Sequence, residues 1–295
     1  MSFNDVLQPP AESPPPAESP LRAWRALEYR GCRIAYQVHG GGPPVLLIQG
    51  VAVQGDAWQP QVDGLADRYR CLWFDNRGLG QSQPMGANLS VAQMADDAEA
   101  LIDAQGWDSA HVVGHSLGGL IALELALRAR RRVRSLALLC TFANGQAAGK
   151  LSPRMLWVGL RTQIGTRRQR RHAFLELVMP PALLAHTERD ALAARLGQLF
   201  GRDLGVAPTV QGAQMRAMRA YDARGRLGEL AGLPTLVVSA AHDPIAPPAA
   251  GRVLASGIPG ARYDEIPDAS HGLPIQCSGV VNGMLSAHFA QADSI

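Results

Sequence analysis

The chain has 295 residues with 28 basic and 25 acidic side chains, a formal charge of +3, a size that suits one large α/β domain or two smaller ones. Hydrophobic residues make up 47% and charged residues 18%, which excludes a chain disordered over most of its length. Nowhere do about 18 apolar residues run together, so no membrane-spanning helix is expected. No basic stretch followed by an apolar one opens the chain, so no secretory signal is expected either.

Residues 9–20 read PPAESP twice. Proline removes backbone donors and nothing nearby builds a core, so residues 1–24 are expected as a disordered Pro-rich tail. The alternative is a proline-rich ligand for a partner domain. Apolar runs of strand length then alternate with helical patterns. The strand candidates are Cys32–Val38, Val45–Gln49, Tyr69–Asp75, His111–Gly114, Ser135–Cys140, Thr235–Ser239 and Ala261–Ile266. Runs such as VLLI and LALL are apolar on successive positions, which suits strands covered on both faces. Ser90–Gln105 reads as an amphipathic helix, with Ser90 and Gln93 at capping-box spacing and Gly106 as its stop. This alternation predicts an α/β fold with a mostly parallel, doubly wound sheet.

The alternation breaks over residues 144–228, which carry proline pairs, helical runs such as Arg167–Met179 and Thr187–Phe200, and no convincing strand. That segment holds 14 basic and 5 acidic side chains, a net of +9, against −6 for the remainder. It is expected as a helical lid inserted into a core of residues 25–143 and 229–295. The run Arg167, Arg168, Arg170 and Arg171 has no aromatics interleaved, so nucleic acid is not an expected partner. Attraction of anionic substrates is the functional reading of the charge. Leu156, Trp157, Leu160, Phe174, Leu177 and Met179 line a pocket or pack the lid helices together, both readings standing equally. Trp157 and Leu160, with Gln49, are the candidate substrate contacts.

Chemistry concentrates at Gly114-His115-Ser116-Leu117-Gly118, followed by Gly119. A strand-like HVVG runs into this G-x-S-x-G, and the helical LIALELALR follows it. A serine at such a turn is held in a strained backbone with its hydroxyl at the carboxyl edge of the sheet. The Leu117 N–H, at a helix N-terminus, favours a developing oxyanion. Serine needs a base to take its proton, and the imidazole needs an orienting acid. His172 and His186 fall in the lid and His288 in a terminal helix. His271, in Asp268-Ala-Ser-His-Gly272, follows the last strand and is the expected base. Asp243 follows the strand TLVVSA and is the expected acid, ahead of Asp264, Glu265 and Asp268. His242 beside it has no ligand cluster around it, so no metal is expected. The second oxyanion donor is expected from the N–H of Val51, after VLLIQG, with Gly50 turning the backbone.

Together these residues resemble the α/β-hydrolase superfamily over about residues 28–292. Asp75-Asn-Arg-Gly-Leu-Gly-Gln-Ser82 is similar to the family's D-x-R-G-x-G-x-S turn, and the resemblance makes Asp75 and Arg77 scaffold. HDPIAPP at 242–248 and DASHG at 268–272 are similar to the family's acid and histidine loops. The resemblance implies Ser116 as nucleophile, Asp243 as acid and His271 as base, with no cofactor. It lies nearest serine esterases, enol-lactone hydrolases and their carbon–carbon-bond-cleaving relatives. The family usually has His-Gly after the oxyanion strand, where this chain has Gln49-Gly50. The expected activity is hydrolysis of a small-molecule carboxylic ester or lactone through an acyl-enzyme. Carbon–carbon hydrolysis or acyl transfer with the same triad is the alternative, and a non-catalytic binding protein on the scaffold a further one. Cys32, Cys71, Cys140 and Cys277 lie far apart with no C-x-x-C pair, so reduced thiols and a cytoplasmic location, with no membrane partner, are expected.

Overall fold

A computed structural model describes residues 23–146 and 153–294. Of the expected tail, only Ala23 and Trp24 fall within the described residues. Eight strands form one sheet: β1 (Arg25–Tyr29), β2 (Cys32–His39), β3 (Pro44–Ile48), β4 (Arg70–Phe74), β5 (Ala110–His115), β6 (Val133–Leu139), β7 (Thr235–Ala240) and β8 (Arg262–Ile266). Their spatial order is β1-β2-β4-β3-β5-β6-β7-β8. The β1–β2 and β2–β4 pairs are antiparallel and all others parallel.

The helices are α1 (Gln59–Leu65), α2 (Val91–Ala104), α3 (Leu117–Arg128), α4 (Pro153–Arg161), α5 (Arg167–Val178), α6 (Pro181–Ala185), α7 (Arg189–Leu199), α8 (Gln211–Ala220), α9 (Pro248–Gly257), α10 (Leu273–Gln276) and α11 (Ser278–Asp293). No described helix is long and apolar enough to cross a membrane. Ser90 caps α2 by accepting the Gln93 N–H at 3.1 Å, as the capping-box spacing predicts.

Alternate side chains of each central strand face opposite layers. Leu46, Ile48, Leu72, Phe74 and Val112 pack with α2 and α3 on one face. Val45, Leu47, Trp73, Val113 and Val238 pack with α1 and α11 on the other. Five described helices, α4 to α8, separate β6 from β7. Ala217 and Met218 of α8 pack into the main core, while a third apolar cluster holds α5, α6 and α7 down. There Leu175, Val178, Leu192, Leu196 and Phe200 meet Val53, Ala57 and Ile275 from around the sheet's carboxyl edge. Leu227 and Leu230, in a 3-10 turn over Arg224–Leu230, already pack into the main core.

β1 has no counterpart among the expected strands. Its sequence RALEY leaves the side chains exposed or half-buried and pairs only with β2, so it shows neither a long apolar run nor a buried stripe. From β3 the chain winds outward to β4 on one side and to β5 on the other. That makes the β3–β5 gap the topological switch point, where a crevice opens beyond the carboxyl ends of the strands. Gln49-Gly50-Val51 leaves β3 there and Ser116 leaves β5.

Candidate active site

Ser116 joins β5 to α3 with φ 55° and ψ −119°, a backbone region that costs a non-glycine residue about 1–3 kcal/mol. Close packing enforces the turn. A Cβ on Gly118 would lie 2.0 Å from the Ile48 carbonyl oxygen, and one on Gly114 would lie 2.2 Å from that of Gly118. The Ser116 N–H donates to Leu139 O at 3.0 Å, and the Thr141 hydroxyl donates to Ser116 O at 2.8 Å. The side chain is thereby fixed at the mouth of the switch point.

His271 Nε2 lies 3.0 Å from Ser116 Oγ, and His271 Nδ1 lies 2.7 Å from Asp243 Oδ2. All three residues are buried. Asp243 Oδ1 accepts the N–H groups of Ile245 and Ala246 at 2.8 and 2.9 Å, which fixes the carboxylate plane. The loops carrying acid and imidazole are laced together. His242 N–H donates to Ala269 O at 2.9 Å and the Ser270 hydroxyl donates to His242 O at 3.1 Å. The other sequence candidates lie elsewhere. Asp264 pairs with Arg262 and Glu265 with Arg252, Asp268 is exposed, His172 bonds Asp190, and His242 and His186 are exposed. His288 donates to Leu136 O from a buried position in α11.

His115, unremarked in the motif, holds the imidazole from behind. Its Nε2 bonds the His271 carbonyl at 2.8 Å, so that nitrogen carries the proton. Burial, with the neighbouring His271 adding to it, pushes the His115 pKa down to about 3, so the ring is neutral. Cys140 sits beneath the site, its thiol held well above the usual range by burial and by the adjacent Asp243 charge. His115, Cys140 and His271 offer ligand atoms within 4.8 Å of one another. Both nitrogens of His271 already face Asp243 and Ser116, and the thiol resists ionisation, so this donor set does not fit a metal. All four cysteines are free thiols.

The turn after β3 packs on the serine: a Cβ on Gly50 would come within 3.0 Å of Ser116 Cβ. Val51 lines the cavity beside it, and the N–H of Leu117, the first residue of α3, has no acceptor inside its own helix. The next residue, Ala52, has φ 60° and is clamped at both ends by the β6–β7 segment. Its N–H donates to Gln214 Oε1 at 2.8 Å and its carbonyl accepts Arg202 Nε at 2.7 Å. Gln214 is fully buried and its Nε2 has no partner among the described residues. The same segment also reaches the histidine loop, where Gly272 N–H donates to Val178 O at 2.7 Å. Ala52 follows the Gly50–Val51 turn that packs on Ser116, and Gly272 follows His271, which lies against its hydroxyl.

A cavity of about 440 Å³ opens over Ser116 and His271. Of the apolar positions for which the sequence left lining and packing equally open, Leu156, Phe174 and Leu177 line it; Trp157 and Leu160 do not, nor does Gln49. On α4 the wall is formed by Leu156 and Gly159, three residues apart, with Thr162 three further on. Trp157 and Leu160 lie one residue out of phase, although all three side chains, Leu156 at 59% included, are exposed. Gln49 is buried and turned back on the scaffold: its Oε1 accepts the Gly50 N–H at 3.1 Å and its carbonyl accepts Asn76 Nδ2 at 2.9 Å. Met179 is buried in the helical cluster.

Asp75 and Arg77 are braces. Asp75 accepts the N–H groups of Gly55 and Gln81, both at 2.9 Å. Arg77 pairs with Asp97, each side chain 1% exposed, and donates to the carbonyls of Tyr29 and Arg30. Asp97 was hidden in the sequence, although it sits among Met94, Ala98 and Leu101 on the apolar stripe of α2. A lone acid on such a stripe is the signal of a buried partner.

Comparison with known proteins agrees with this architecture. The family profile for the alpha/beta hydrolase fold matches residues 43–276. A protein of Azorhizobium caulinodans that carries the name carbamate hydrolase RutD is 31% identical over 259 residues, 88% of this chain and 95% of its own. The dihydrolipoyllysine-residue acetyltransferase component of the acetoin cleaving system of Cupriavidus necator is 30% identical over 274 residues, 92% of this chain and 70% of its own. The crystal structure of the enol-lactonase of Burkholderia xenovorans superposes with a TM-score of 0.75 at 26% identity, covering 90% of this chain and 100% of that one. The chain belongs to the α/β-hydrolase family.

Proposed function

We propose that the chain is a serine hydrolase that cleaves a carboxylic ester or lactone through an acyl-enzyme. The observation that carries this reading is the buried relay of Ser116, His271 and Asp243, with its 3.0 and 2.7 Å contacts, opening onto the cavity. Ser116 Oγ attacks the carbonyl carbon while His271 Nε2 takes its proton. Asp243 holds the Nδ1–H tautomer and stabilises the imidazolium. The N–H groups of Val51 and Leu117 receive the oxyanion, a contribution of about 3–4 kcal/mol per donor in comparable sites. His271 returns the proton to the leaving alcohol, and water repeats the sequence to release the acid. Residues 144–228 act as the lid over this chemistry, and residues 25–143 and 229–295 as the core.

A carbamate, the class in the name of the Azorhizobium relative, offers Ser116 the same carbonyl beside a leaving heteroatom and is the second reading. The test is a fluorophosphonate probe followed by a panel of esters, lactones and carbamates. Labelling and turnover are expected in the wild type, and both are expected to vanish in Ser116→Ala. Full turnover by Ser116→Ala on every substrate the wild type cleaves overturns the mechanism.

A further inference from the structure

The segment between β6 and β7 is strongly basic, yet its carboxylates are all engaged. Glu176 pairs with Arg161 and Arg189, Asp190 with Arg168 and His172, Asp203 with Arg171, and Asp222 with Arg224. Glu188 accepts the N–H groups that open α7. None of them forms an ion pair with Arg202 or Arg219, the two arginines on the cavity wall, although Asp203 acts on Arg202 at a distance, and no Asp or Glu among the described residues lines the cavity.

Arg202 is the more constrained of the two. It is half-buried, with Cζ 5.1 Å from the centre of the Phe174 ring. Nε donates to Ala52 O at 2.7 Å, and Nη1 donates to the carbonyls of Asp203 and Val206 at 3.2 and 2.9 Å. These bonds use Nε and Nη1 alone, leaving Nη2 without an acceptor among the described residues. The adjacent Asp203 carboxylate is turned onto Arg171 by two contacts of 2.7 Å and onto the Gly205 N–H at 2.8 Å. Carbonyls orient a guanidinium but do not neutralise it, and with the Asp203 carboxylate bonded to Arg171 the partly desolvated charge of Arg202 is only partly compensated, which is unfavourable. Holding such a group rigid beside a reactive serine is reasonable where the ligand brings the opposite charge.

We infer that Arg202 is the anchor of an anion subsite: the substrate carries a free carboxylate, remote from the scissile carbonyl, that binds the guanidinium. Arg219, exposed on the same wall, adds attraction at the rim. Only the placement of the scissile carbonyl at Ser116 rests on the serine-hydrolase reading. Arg202 touches Ala52, the residue after Val51, so the carboxylate and the carbonyl sit on neighbouring stretches of one wall.

The test compares mono-4-nitrophenyl succinate, glutarate and adipate with the uncharged butyrate, valerate and hexanoate esters. Wild type is expected to prefer at least one anionic ester over its neutral counterpart, mainly through KM, with the preference shrinking in 0.5 M salt. Arg202→Gln is expected to cut the anionic-to-neutral ratio of kcat/KM by about 10- to 100-fold, the scale of a charged hydrogen bond. Arg202→Lys restores part of that ratio. Equal losses on both ester classes, or no wild-type preference for any anionic ester, overturn the inference, because a brace for Ala52 alone does not change the ratio. Titration of Ser116→Ala with glutarate, with and without Arg202→Gln, reads the subsite independently of turnover. Binding abolished by Arg202→Gln supports the subsite even if no ester is hydrolysed; no binding in the Ser116→Ala background counts against it.

Discussion

Gln214 Oε1 accepts the N–H of Ala52 at 2.8 Å, joining the middle of α8 to the turn that leaves β3. Ala52 is held in the left-handed region, φ 60°, which a non-glycine residue occupies only when its surroundings compel it. Under the proposed mechanism the glutamine positions the neighbouring Val51 N–H through Ala52. Replacing Gln214 with Leu orphans a buried N–H, a loss of about 1–3 kcal/mol in stability. The expected kinetic signature is a fall of tenfold or so in kcat with KM little changed, since the oxyanion contact strengthens only in the transition state. A matching rise in KM at constant kcat contradicts this role.

The strained turn at Ser116 yields a second expectation. Ser116→Gly removes the steric conflict of φ 55° and ψ −119°, whereas Ser116→Ala keeps it. The glycine variant is expected to be about 1 kcal/mol more stable than the alanine variant, after the entropy of a freer unfolded chain is deducted. Thermal melting of the two inactive proteins decides the matter, and equal midpoints argue against stored strain.

The Arg77–Asp97 pair is almost wholly removed from water. Truncating either partner alone, as in Asp97→Ala, leaves a buried charge and is expected to destabilise the fold by about 3–5 kcal/mol. The double replacement Arg77→Met with Asp97→Leu is expected to be less destabilised than either single truncation, measured by urea unfolding. A double variant as weak as the sum of the singles shows that the bonds to Tyr29 and Arg30, not charge, are what matter.

Asp75 titrates abnormally. Burial raises its pKa from 3.8 to about 6, against the opposing effect of the Gly55 and Gln81 N–H groups. The native state thus holds a proton between those values that the unfolded chain has lost, so this stabilising contribution is present in full below about pH 4 and is gone above about pH 6. The wild-type stability relative to Asp75→Asn is expected to fall by about 3 kcal/mol as pH rises through that window. Denaturant titrations at several pH values test it, and a constant difference refutes it.

The candidate site was legible where it is local or tied to strand ends. G-x-S-x-G sits between an apolar strand and a helix, and Asp243 and His271 each follow a strand, so sheet geometry alone gathers them on one edge. Trp157 and Leu160 were misplaced because α4 has apolar residues on adjacent positions, and only tertiary packing decides which stripe of so short a helix meets the cavity. Arg202 and Gln214 were invisible as contacts because they reach Ala52 across 150 and 162 positions of chain. Gln214 left a trace, standing among Val210, Ala217 and Met218 on the buried side of α8. β1 left little, because its core-facing side is only Leu27 and Tyr29, both half-buried and too short a pattern to stand out.

The clamp on Ala52 limits how this enzyme can be re-engineered. Grafting the β6–β7 segment of another family member onto this scaffold would exchange the cavity roof and also replace both residues that grip the turn beside Val51. Such a chimera without its own equivalents at positions 202 and 214 is expected to turn over slowly, however well the new roof fitted its substrate.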